Sequence, residues 1–301
     1  MNEANAIAPS VIDRLELDDV PATAMMTLAC RAAESVSKDP ILKDPLSVEW
    51  FERLRPALKE AVSPTLRRCG ANRMNSETQV YVALRARRFD RYVREFVERH
   101  PGAKVMNLGC GFDTRFDRLR DLNCELVDLD LREMIDARRA LGDGRDERGM
   151  IASSVLDLNW FDRVDIKADR PTLFLAEGLF MYLEEPESKR LVGELARRFP
   201  GGELVCELFN SFWLEPARRA QVDERLKREL GFGEGAMFRS GVRDAREMES
   251  WGKGIRFLDE WSHLDEPEPK LGRIRKLRHF PKFRRMQWTV HHRLEDRPES
   301  D

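Results

Sequence analysis

Two glycines and one aspartate have the types and spacing needed to hold a nucleoside. Gly109 and Gly111 follow the apolar run at residues 104–108, and glycine lets a turn approach a ligand without a Cβ clash. Asp130 comes 19 residues after Gly111, at the end of a second apolar run. A carboxylate there offers two acceptor oxygens to the two hydroxyls of a ribose. The spacing predicts a nucleoside cofactor, and the alternative is an ordinary strand–helix turn with a surface aspartate.

The same turn narrows the choice of cofactor. A dinucleotide-binding turn needs a third glycine at position 114, where this chain has Thr114. The sequence has no glycine-rich loop ending in Lys-Ser or Lys-Thr to hold a triphosphate. S-adenosylmethionine has no phosphate and carries an amino acid and a sulfonium instead. The turn therefore favours S-adenosyl-L-methionine and disfavours a nicotinamide oxidoreductase.

Residues 107–115, N-L-G-C-G-F-D-T-R, resemble the glycine turn of the leucine carboxyl methyltransferase family, with mild departures at Cys110 and Phe112. Three further segments resemble that family in the same order, at residues 23–45, 85–90 and 176–183. The resemblance is greatest to the bacterial branch that acts on small molecules. It implies an S-adenosylmethionine-dependent O-methyltransferase.

The resemblance also implies which residues hold the cofactor. Arg85 would pair with its carboxylate, assisted by Arg31, and Glu177 would lie beside its amino group. Asp130 would bind the ribose. The remaining residues that the resemblance assigns to cofactor binding are Asn107, Gly109, Gly111, Asp113, and the adenine pair Asp157 and Leu158.

Three of these assignments have simpler alternatives. Arg85 lies among other arginines and could be one more solvated charge. Asp157 precedes a predicted helix and could serve only as its N-cap. Tyr182, which with Glu177 is the candidate for a positioning role in catalysis, could simply belong to the core.

Strand and helix patterns alternate from residue 104 onward, which predicts an α/β doubly wound, mostly parallel seven-stranded sheet of the Rossmann-like methyltransferase type. Residues 1–100 are expected to form a helical cap that contributes to the site, with a loop at 64–75. Residues 101–301 would form the core, with a helical insertion around 211–252. The last strand, at 286–292, could close the sheet edge in antiparallel orientation.

The acceptor is expected to be a carboxylic acid, because a carboxylate is already ionised and needs no general base. None of the five histidines falls within the recognised segments, although a hydroxylated aromatic substrate stays possible. Aromatic and flexible apolar side chains could form a lid over a flat acid or could pack against the sheet: Phe209, Phe212, Trp213, Phe232, Met237 and Phe238. The glycines of segment 231–235 suggest a mobile loop.

Segment 273–285 carries seven Arg and Lys residues with Phe280 and Phe283 between them, a composition that can hold RNA. A solvated helix before the last strand is the preferred interpretation, so nucleic acid is disfavoured as a partner. Two further functions stay open, namely methylation of a protein C-terminus and cofactor binding without catalysis.

Composition and charge exclude several classes of protein. The formal net charge is -2, which gives no global field for nucleic acid. Five cysteines without a C-x-x-C pair argue against a zinc site or a disulfide framework, and no metal is expected. The first 17 residues lack the apolar stretch of a signal peptide, and no run is long enough to cross a membrane. We therefore expect a soluble cytoplasmic protein.

Overall fold

The computed structural model describes residues 19–142, 149–164, 170–230 and 237–295. Phe232 and the predicted mobile loop at 231–235 lie outside these residues, as does the first part of the predicted cap. The described strands are β1 (Lys104–Leu108), β2 (Glu125–Asp130), β3 (Met150–Ala152), β4 (Thr172–Ala176), β5 (Glu203–Phe209), β6 (Ile255–Trp261) and β7 (Gln287–Leu294).

The described helices fall into an N-terminal group and a group that alternates with the strands. The α-helices are α1 (Asp19–Ser35), α2 (Pro45–Glu60), α3 (Pro64–Gly70), α4 (Ser76–Arg99), α5 (Arg115–Arg118), α6 (Arg132–Ala140), α7 (Glu185–Arg198), α8 (Pro216–Leu230) and α9 (Pro281–Arg284). The 3₁₀ helices span Leu158–Arg163, Phe180–Tyr182, Ser211–Leu214, Ala245–Ser250, His263–Asp265 and Pro269–His279.

The seven strands form one sheet in the order β3-β2-β1-β4-β5-β7-β6. β1 to β5 pair in parallel, and the residues of β1, β4 and β5 are all buried, because helices cover both faces of the sheet. The strand order reverses between β1 and β4. The carboxyl ends of β1, β2 and β4 meet beside this switch point, which is where doubly wound sheets bind ligands. The predicted fold class is confirmed.

The last strand is antiparallel as predicted, but it is not the edge of the sheet. β7 lies between β5 and β6 and pairs antiparallel with both, so β6 is the edge strand. The prediction of an edge position was wrong, because the alternation of side chains in the sequence identifies a strand but not the strands that pair with it. His292 and Val290 are buried on one face of β7, and the Phe257 ring of β6 lies 5.8 Å from the His292 ring.

The predicted loop at 64–75 was also wrong in its first half, where α3 forms. The Ser63 hydroxyl accepts a hydrogen bond from the Leu66 amide, and Pro64 occupies the first helical position. Leu66 and Cys69 are buried on the inner face of this short helix. Proline is tolerated at the first position of a helix, so Pro64 is compatible with α3.

Trp50 joins the N-terminal helices to the sheet domain. Its ring lies edge-on to Phe112 of the glycine turn, with the ring centroids 6.5 Å apart, and it also packs near Phe116 at 6.3 Å. The side chain is fully buried on α2. The cluster around it includes residues of α1, α2 and α6, so α1 to α3 and the nucleoside-binding turn share one packed region.

We expect Trp50→Ala to lower the free energy of unfolding by about 3–5 kcal/mol, because a buried aromatic side chain is removed and leaves a cavity. Urea unfolding followed by circular dichroism measures the change. Phe280→Ala is the matched control, since Phe280 is 59% exposed and should change stability by about 0.5 kcal/mol or less. Equal losses in the two variants would contradict the joining role of Trp50.

Candidate active site

The glycine turn after β1 requires both of its glycines. Gly109 has φ +66° and Gly111 has φ +51°, in the region that disfavours side chains. A Cβ on Gly109 would lie 3.0 Å from Leu179 Cδ1, and one on Gly111 would lie 3.0 Å from Ala24 Cβ. The glycines thus let the turn press against α1 and the end of β4 at the same time.

Asp130 lies at the end of β2 and is held by two backbone amides. The Gly111 amide donates to Oδ2 at 2.7 Å, and the Leu131 amide donates to Oδ1 at 2.7 Å. Burial raises the pKa of Asp130, although these two amides oppose the shift. Each carboxylate oxygen keeps a further lone pair, so Asp130 can still accept two hydroxyl donors.

The turn and Asp130 line a cavity of about 800 Å³ that lies across the carboxyl ends of the strands. This volume is in the range of pockets that enclose small molecules. The cavity brings together nine of the eleven site residues predicted from the sequence: Arg31, Arg85, Asn107, Gly109, Gly111, Asp113, Asp130, Glu177 and Tyr182.

Asp157 and Leu158 are the two that it does not bring together with the others. Among the described residues, the cavity wall beyond β3 is formed by Ser153 to Leu156. The exposed Asp157 side chain accepts from the Asn159 amide at 3.2 Å and caps the 3₁₀ helix, while Leu158 packs against the sheet core. Asp157 is thus an N-cap, as the simpler alternative predicts, and its contact with adenine stays a prediction.

Arg85 is buried and shared by two carboxylates. Its Nε donates to Glu177 Oε1 at 2.8 Å, and its Nη1 donates to Glu207 Oε2 at 2.8 Å. Only 8% of its side chain is exposed, so the alternative of a solvated charge does not apply. Nη2 donates to no described residue, and this leaves one edge of the guanidinium for a ligand carboxylate.

Arg115 ties the turn to the end of β4. Its Nη2 donates to Glu177 Oε2 at 2.7 Å, its Nε donates to Asp90 Oδ1 at 2.7 Å, and its Nη1 contacts Asp113. Burial alone would raise the carboxyl pKa values, but Arg85 and Arg115 lower the pKa of Glu177, and Arg115 and Arg118 hold the pKa of Asp113 far below its usual value. These carboxylates are anionic at any neutral pH.

Asp44 ties the glycine turn to the N-terminal helices. It accepts from the Thr114 hydroxyl at 2.6 Å, from Arg118 Nη1 at 2.8 Å and from Arg31 Nε at 3.2 Å. Arg31 Nη2 also donates to the Phe112 carbonyl at 2.7 Å. Position 114, where a dinucleotide-binding turn would need glycine, therefore holds a buried hydroxyl that anchors the turn to the start of α2.

Asn107, on β1, links the glycine turn to β2 through hydrogen bonds. Its Nδ2 donates to Asp128 Oδ1 at 2.8 Å and to Asp113 Oδ2 at 3.0 Å. Arg138 donates to Asp128 Oδ2 at 2.8 Å and to the Gly111 carbonyl at 2.8 Å. The conformation of the turn is thus fixed by side chains from β1, β2 and α6.

The other end of the cavity is lined by a cluster of aromatic side chains, together with Arg218, Gln221, Arg225 and Arg239. Tyr182 lies edge-on to Phe238 with a centroid distance of 5.5 Å, and Phe209 lies 4.7 Å from the same ring. Trp213 packs on Phe283 at 5.2 Å, and its Nε1 donates to the Lys282 carbonyl at 3.1 Å. All five aromatic side chains line the cavity. They therefore pack on one another and also form the cavity wall, so the core interpretation and the pocket interpretation both hold.

Two members of the predicted aromatic lid do not line the cavity in the described part of the chain. Phe212 lies under Arg218 and Lys282, whose charged groups sit 3.6 Å and 3.8 Å from its ring centroid. Met237 packs against the aromatic cluster from behind. Tyr182 is half-buried, and burial raises the pKa of its hydroxyl to about 12, so it stays a neutral donor.

Three residues near the cavity were not found from the sequence. Tyr81 and His263 line it, with ring centroids 4.7 Å apart, and Glu207 lies behind Tyr81 on β5. Burial lowers the pKa of His263 to about 4, so the imidazole is neutral. A glutamate within the otherwise apolar strand L-V-C-E-L-F was the one available signal, because a buried charge in a strand requires a partner.

The basic segment forms part of the cavity wall. Arg284 and Arg285 both donate to Glu260, at 2.8 Å and 2.7 Å, and Arg284 also pairs with Asp265. Ile274, Leu277 and Phe283 line the cavity. The segment is helical before the last strand, as expected. Arg284 and Arg285, two of its cations, are paired with acidic residues.

The profile of the family described as leucine carboxyl methyltransferase matches residues 24–196. The chain belongs to the leucine carboxyl methyltransferase family. The matched range holds the glycine turn, Asp130 and Glu177, and the resemblance seen in the sequence is confirmed.

Family relatives identify the cofactor. Tetracenomycin polyketide synthesis O-methyltransferase TcmP of Streptomyces glaucescens is 30% identical over 85% of this chain and 87% of its own length. An S-adenosyl-L-methionine-dependent methyltransferase of Gibberella zeae, dpfgK, is 31% identical over 62% of this chain and 63% of its own. The protein is an S-adenosylmethionine-dependent methyltransferase.

A solved structure shares the fold. A DUF574 family protein from Streptomyces avermitilis superposes with a TM-score of 0.55 at 12% identity, covering 82% of this chain and 96% of that one. Within the part of the chain that the structure describes, no helix is long and apolar enough to cross a membrane.

The cavity end at the glycine turn fits the family's cofactor. The two glycines line the cavity with backbone, Asp130 keeps free lone pairs, and Arg85 Nη2 lacks a described partner. These features suit an adenosine with an amino-acid tail.

We expect Asp44→Asn to lower the free energy of unfolding at pH 7 by about 3–5 kcal/mol, because it removes the anion that two buried arginines share. Although burial opposes it, Arg118 and Arg31 lower the pKa of Asp44. Its stabilisation is therefore complete above the unfolded value of about 3.9 and is lost as the pH falls through the folded value.

Urea unfolding at pH 7 and pH 3 measures both effects. The variant should lose less stability than the wild type between these pH values. Asp162→Asn is the control, because Asp162 is exposed and 3.7 Å from its nearest cation. An unchanged acid dependence in Asp44→Asn would contradict the assignment.

Proposed function

We propose that the protein is an O-methyltransferase that methylates the carboxylate of a small aromatic or polyketide-like acid. The observation that carries this proposal is that one cavity joins a nucleoside-binding turn to an end lined by aromatic side chains. The relative from Streptomyces glaucescens, whose name places it in polyketide synthesis, supports the substrate class.

We assign the cofactor contacts to residues of the first end. Arg85 pairs with the cofactor carboxylate through Nη2, and Arg31 assists from α1. Glu177 receives the amino group, because Arg85 and Arg115 keep it anionic. Asp130 accepts the ribose hydroxyls, and Gly109 and Gly111 provide the close backbone surface.

The chain's own contribution to the reaction is alignment and exclusion of water. When bound, S-adenosylmethionine supplies an electrophilic methyl group for in-line displacement. The aromatic end holds the flat acceptor, and Tyr182 and Glu177 position the two reactants at the boundary between the ends. Positioning of this kind can supply up to about 7–11 kcal/mol. A carboxylate acceptor requires no proton transfer, so no base is needed.

A hydroxyl acceptor is the second candidate, and His263 favours it. The imidazole lines the cavity, is neutral because burial lowers its pKa, and its Nδ1 has no hydrogen-bond partner among the described residues. A neutral imidazole can accept the proton that a phenol must lose. The carboxylate stays the preferred acceptor because it needs no such step.

We expect Asp130→Ala to weaken S-adenosylmethionine binding at least about tenfold, because hydrogen bonds to a charged group are lost. Isothermal titration calorimetry measures the affinity, with NAD and NADP as comparison ligands. Asp157→Ala is the matched control and should retain wild-type affinity, since Asp157 lies outside the cavity. Equal weakening in both variants would restore the adenine role of Asp157.

We expect Trp213→Ala to reduce kcat/KM for an aromatic acid by about tenfold or more while it changes S-adenosylmethionine affinity by less than about threefold. Methyl transfer to a panel of aromatic acids and matched phenols, detected by mass spectrometry as methyl esters and aryl methyl ethers respectively, provides the assay. Phe280→Ala serves as the exposed aromatic control. An equal loss of cofactor and acceptor binding in Trp213→Ala would argue against a pocket role.

A further inference from the structure

Charge along the cavity wall is divided between its two ends. The glycine turn, β2, α6 and the turn after β4 contribute the carboxylates of the cofactor end, which are Asp113, Asp130, Glu133 and Glu177. The aromatic end is instead lined by three arginines, which are Arg218, Arg225 and Arg239. Among the described residues, the other two lining carboxylates, Glu77 and Glu187, each lie in the first turn of a helix, where they stabilise its N-terminus. The aromatic end therefore presents positive charge to a bound molecule.

The helix α8 holds two of these arginines on one face. Arg218, Gln221 and Arg225 are spaced by three and four residues, so they lie side by side along the cavity. The Arg218 Nε donates to the Phe212 carbonyl at 2.8 Å, its Nη2 contacts Glu215, and its guanidinium lies 3.6 Å from the Phe212 ring centroid. Its Nη1 donates to no described residue. Arg218 is thus held in place with one nitrogen left for a ligand.

Arg239 comes from a different segment and is anchored through its backbone. Its amide donates to the Met181 carbonyl at 2.7 Å, and it directly follows Phe238, whose ring packs on Tyr182. Its side chain is 50% exposed, and the described carboxylate within reach is Glu184, at 3.8 Å, which is too long for a hydrogen bond. The guanidinium of Arg239 can therefore bind an anion in the cavity without breaking a hydrogen bond to another described residue.

Methyl transfer to a carboxylate removes the charge of that carboxylate. One oxygen forms a bond to the methyl carbon, and the bond from that carbon to sulfur breaks with its electron pair left on sulfur. An anion and a sulfonium thus become a neutral ester and a neutral thioether. A guanidinium bound to the reacting carboxylate would stabilise the ionised ground state more than the transition state and would slow the step. A guanidinium bound to an anion that does not react has no such effect, because that anion keeps its charge throughout.

We propose that the acceptor is a dicarboxylic acid and that Arg218 and Arg239 bind the carboxylate that is not methylated. The inference rests on the proposed function, because it names the acceptor class of the same site. The reacting carboxylate lies beside Glu177 and Tyr182, and the second lies at the arginines of the aromatic end. The product is a monomethyl ester. It has lost one anion, so it cannot place one carboxylate at the arginines while it presents another for methylation, and the reaction stops after one transfer.

The test compares three flat acids of one ring system at pH 7, which are 2,6-naphthalenedicarboxylate, its monomethyl ester and 2-naphthoate. The monoester differs from the dicarboxylate by one methyl group at the far end. We expect wild-type kcat/KM for the dicarboxylate, divided by two for its two equivalent carboxylates, to exceed that for each monoacid by about tenfold or more, because charge-assisted hydrogen bonds are lost from the monoacids. Mass spectrometry should detect the monoester and little diester.

The double variant Arg218→Gln, Arg239→Gln should lose this preference. We expect its kcat/KM for the dicarboxylate to fall about tenfold or more, while the values for the two monoacids stay within about threefold of wild type. Arg243→Gln is the matched control, because Arg243 is 77% exposed, lies 3.5 Å from the same Glu215 and does not line the cavity. Affinity for S-adenosylhomocysteine, measured by calorimetry on each variant, shows whether the cofactor site is intact.

Each of the other outcomes counts against the proposal. Equal kcat/KM for the dicarboxylate and the monoacids in the wild type would overturn it. An equal loss for all three acids in the double variant would show that the arginines hold the reacting carboxylate, and an unchanged preference would show that they hold neither. Esters still form in these cases, so the proposed function stands. No ester from any acid removes the proposed function together with this inference.

Discussion

The structure depends on a buried set of arginines and carboxylates that lies beneath the glycine turn. Arg31, Arg85, Arg115 and Arg118 come from three different helices, and their carboxylate partners come from α4, the turn, the loop before α2 and the ends of two strands. Each ion would be costly to bury alone, so the set is stable only when every member is in place. Correct assembly of the N-terminal helices and formation of the cofactor site are therefore one event.

This arrangement explains why the turn has its particular residues. Asp113 and Arg115 meet partners on both sides, and Thr114 between them donates to Asp44. A glycine at position 114 would leave Asp44 with one donor fewer. In the binding mode proposed above, the sulfonium and amino group of the cofactor would add positive charge beside carboxylates that are already anionic. Electrostatics of this type favours a cationic ligand without any rearrangement of the wall.

Much of the fold followed from apolar runs and helix caps, because burial of strands and capping of helices leave local marks in the sequence. The apolar run at residues 104–108 forms the strand β1, and the last strand was expected at 286–292 and forms at Gln287–Leu294. The pairing of β7 with its neighbours leaves no such local pattern in the sequence. The short α3 was missed because Pro64 was read as part of a loop, although proline is tolerated at the first helical position. At the site, Arg85 and Glu177 lay within family segments, whereas Tyr81, Glu207 and His263 come together only through the tertiary fold. For Asp157 the sequence could not choose between a helix cap and a ligand contact, because both need a carboxylate at the same position; the structure shows the cap.

The family profile ends at residue 196, and four of the five aromatic residues at that end of the cavity follow it, from Phe209 to Phe283. In the binding mode proposed above, the residues that hold the cofactor are thus separable along the chain from most of the residues that meet the acceptor. Substitutions in the later segment can change which molecule fits without disturbing a single buried ion pair beneath the turn. Members of such a lineage can diverge in substrate while they keep one cofactor, and recruitment to new biosynthetic routes would begin in the segment after β5.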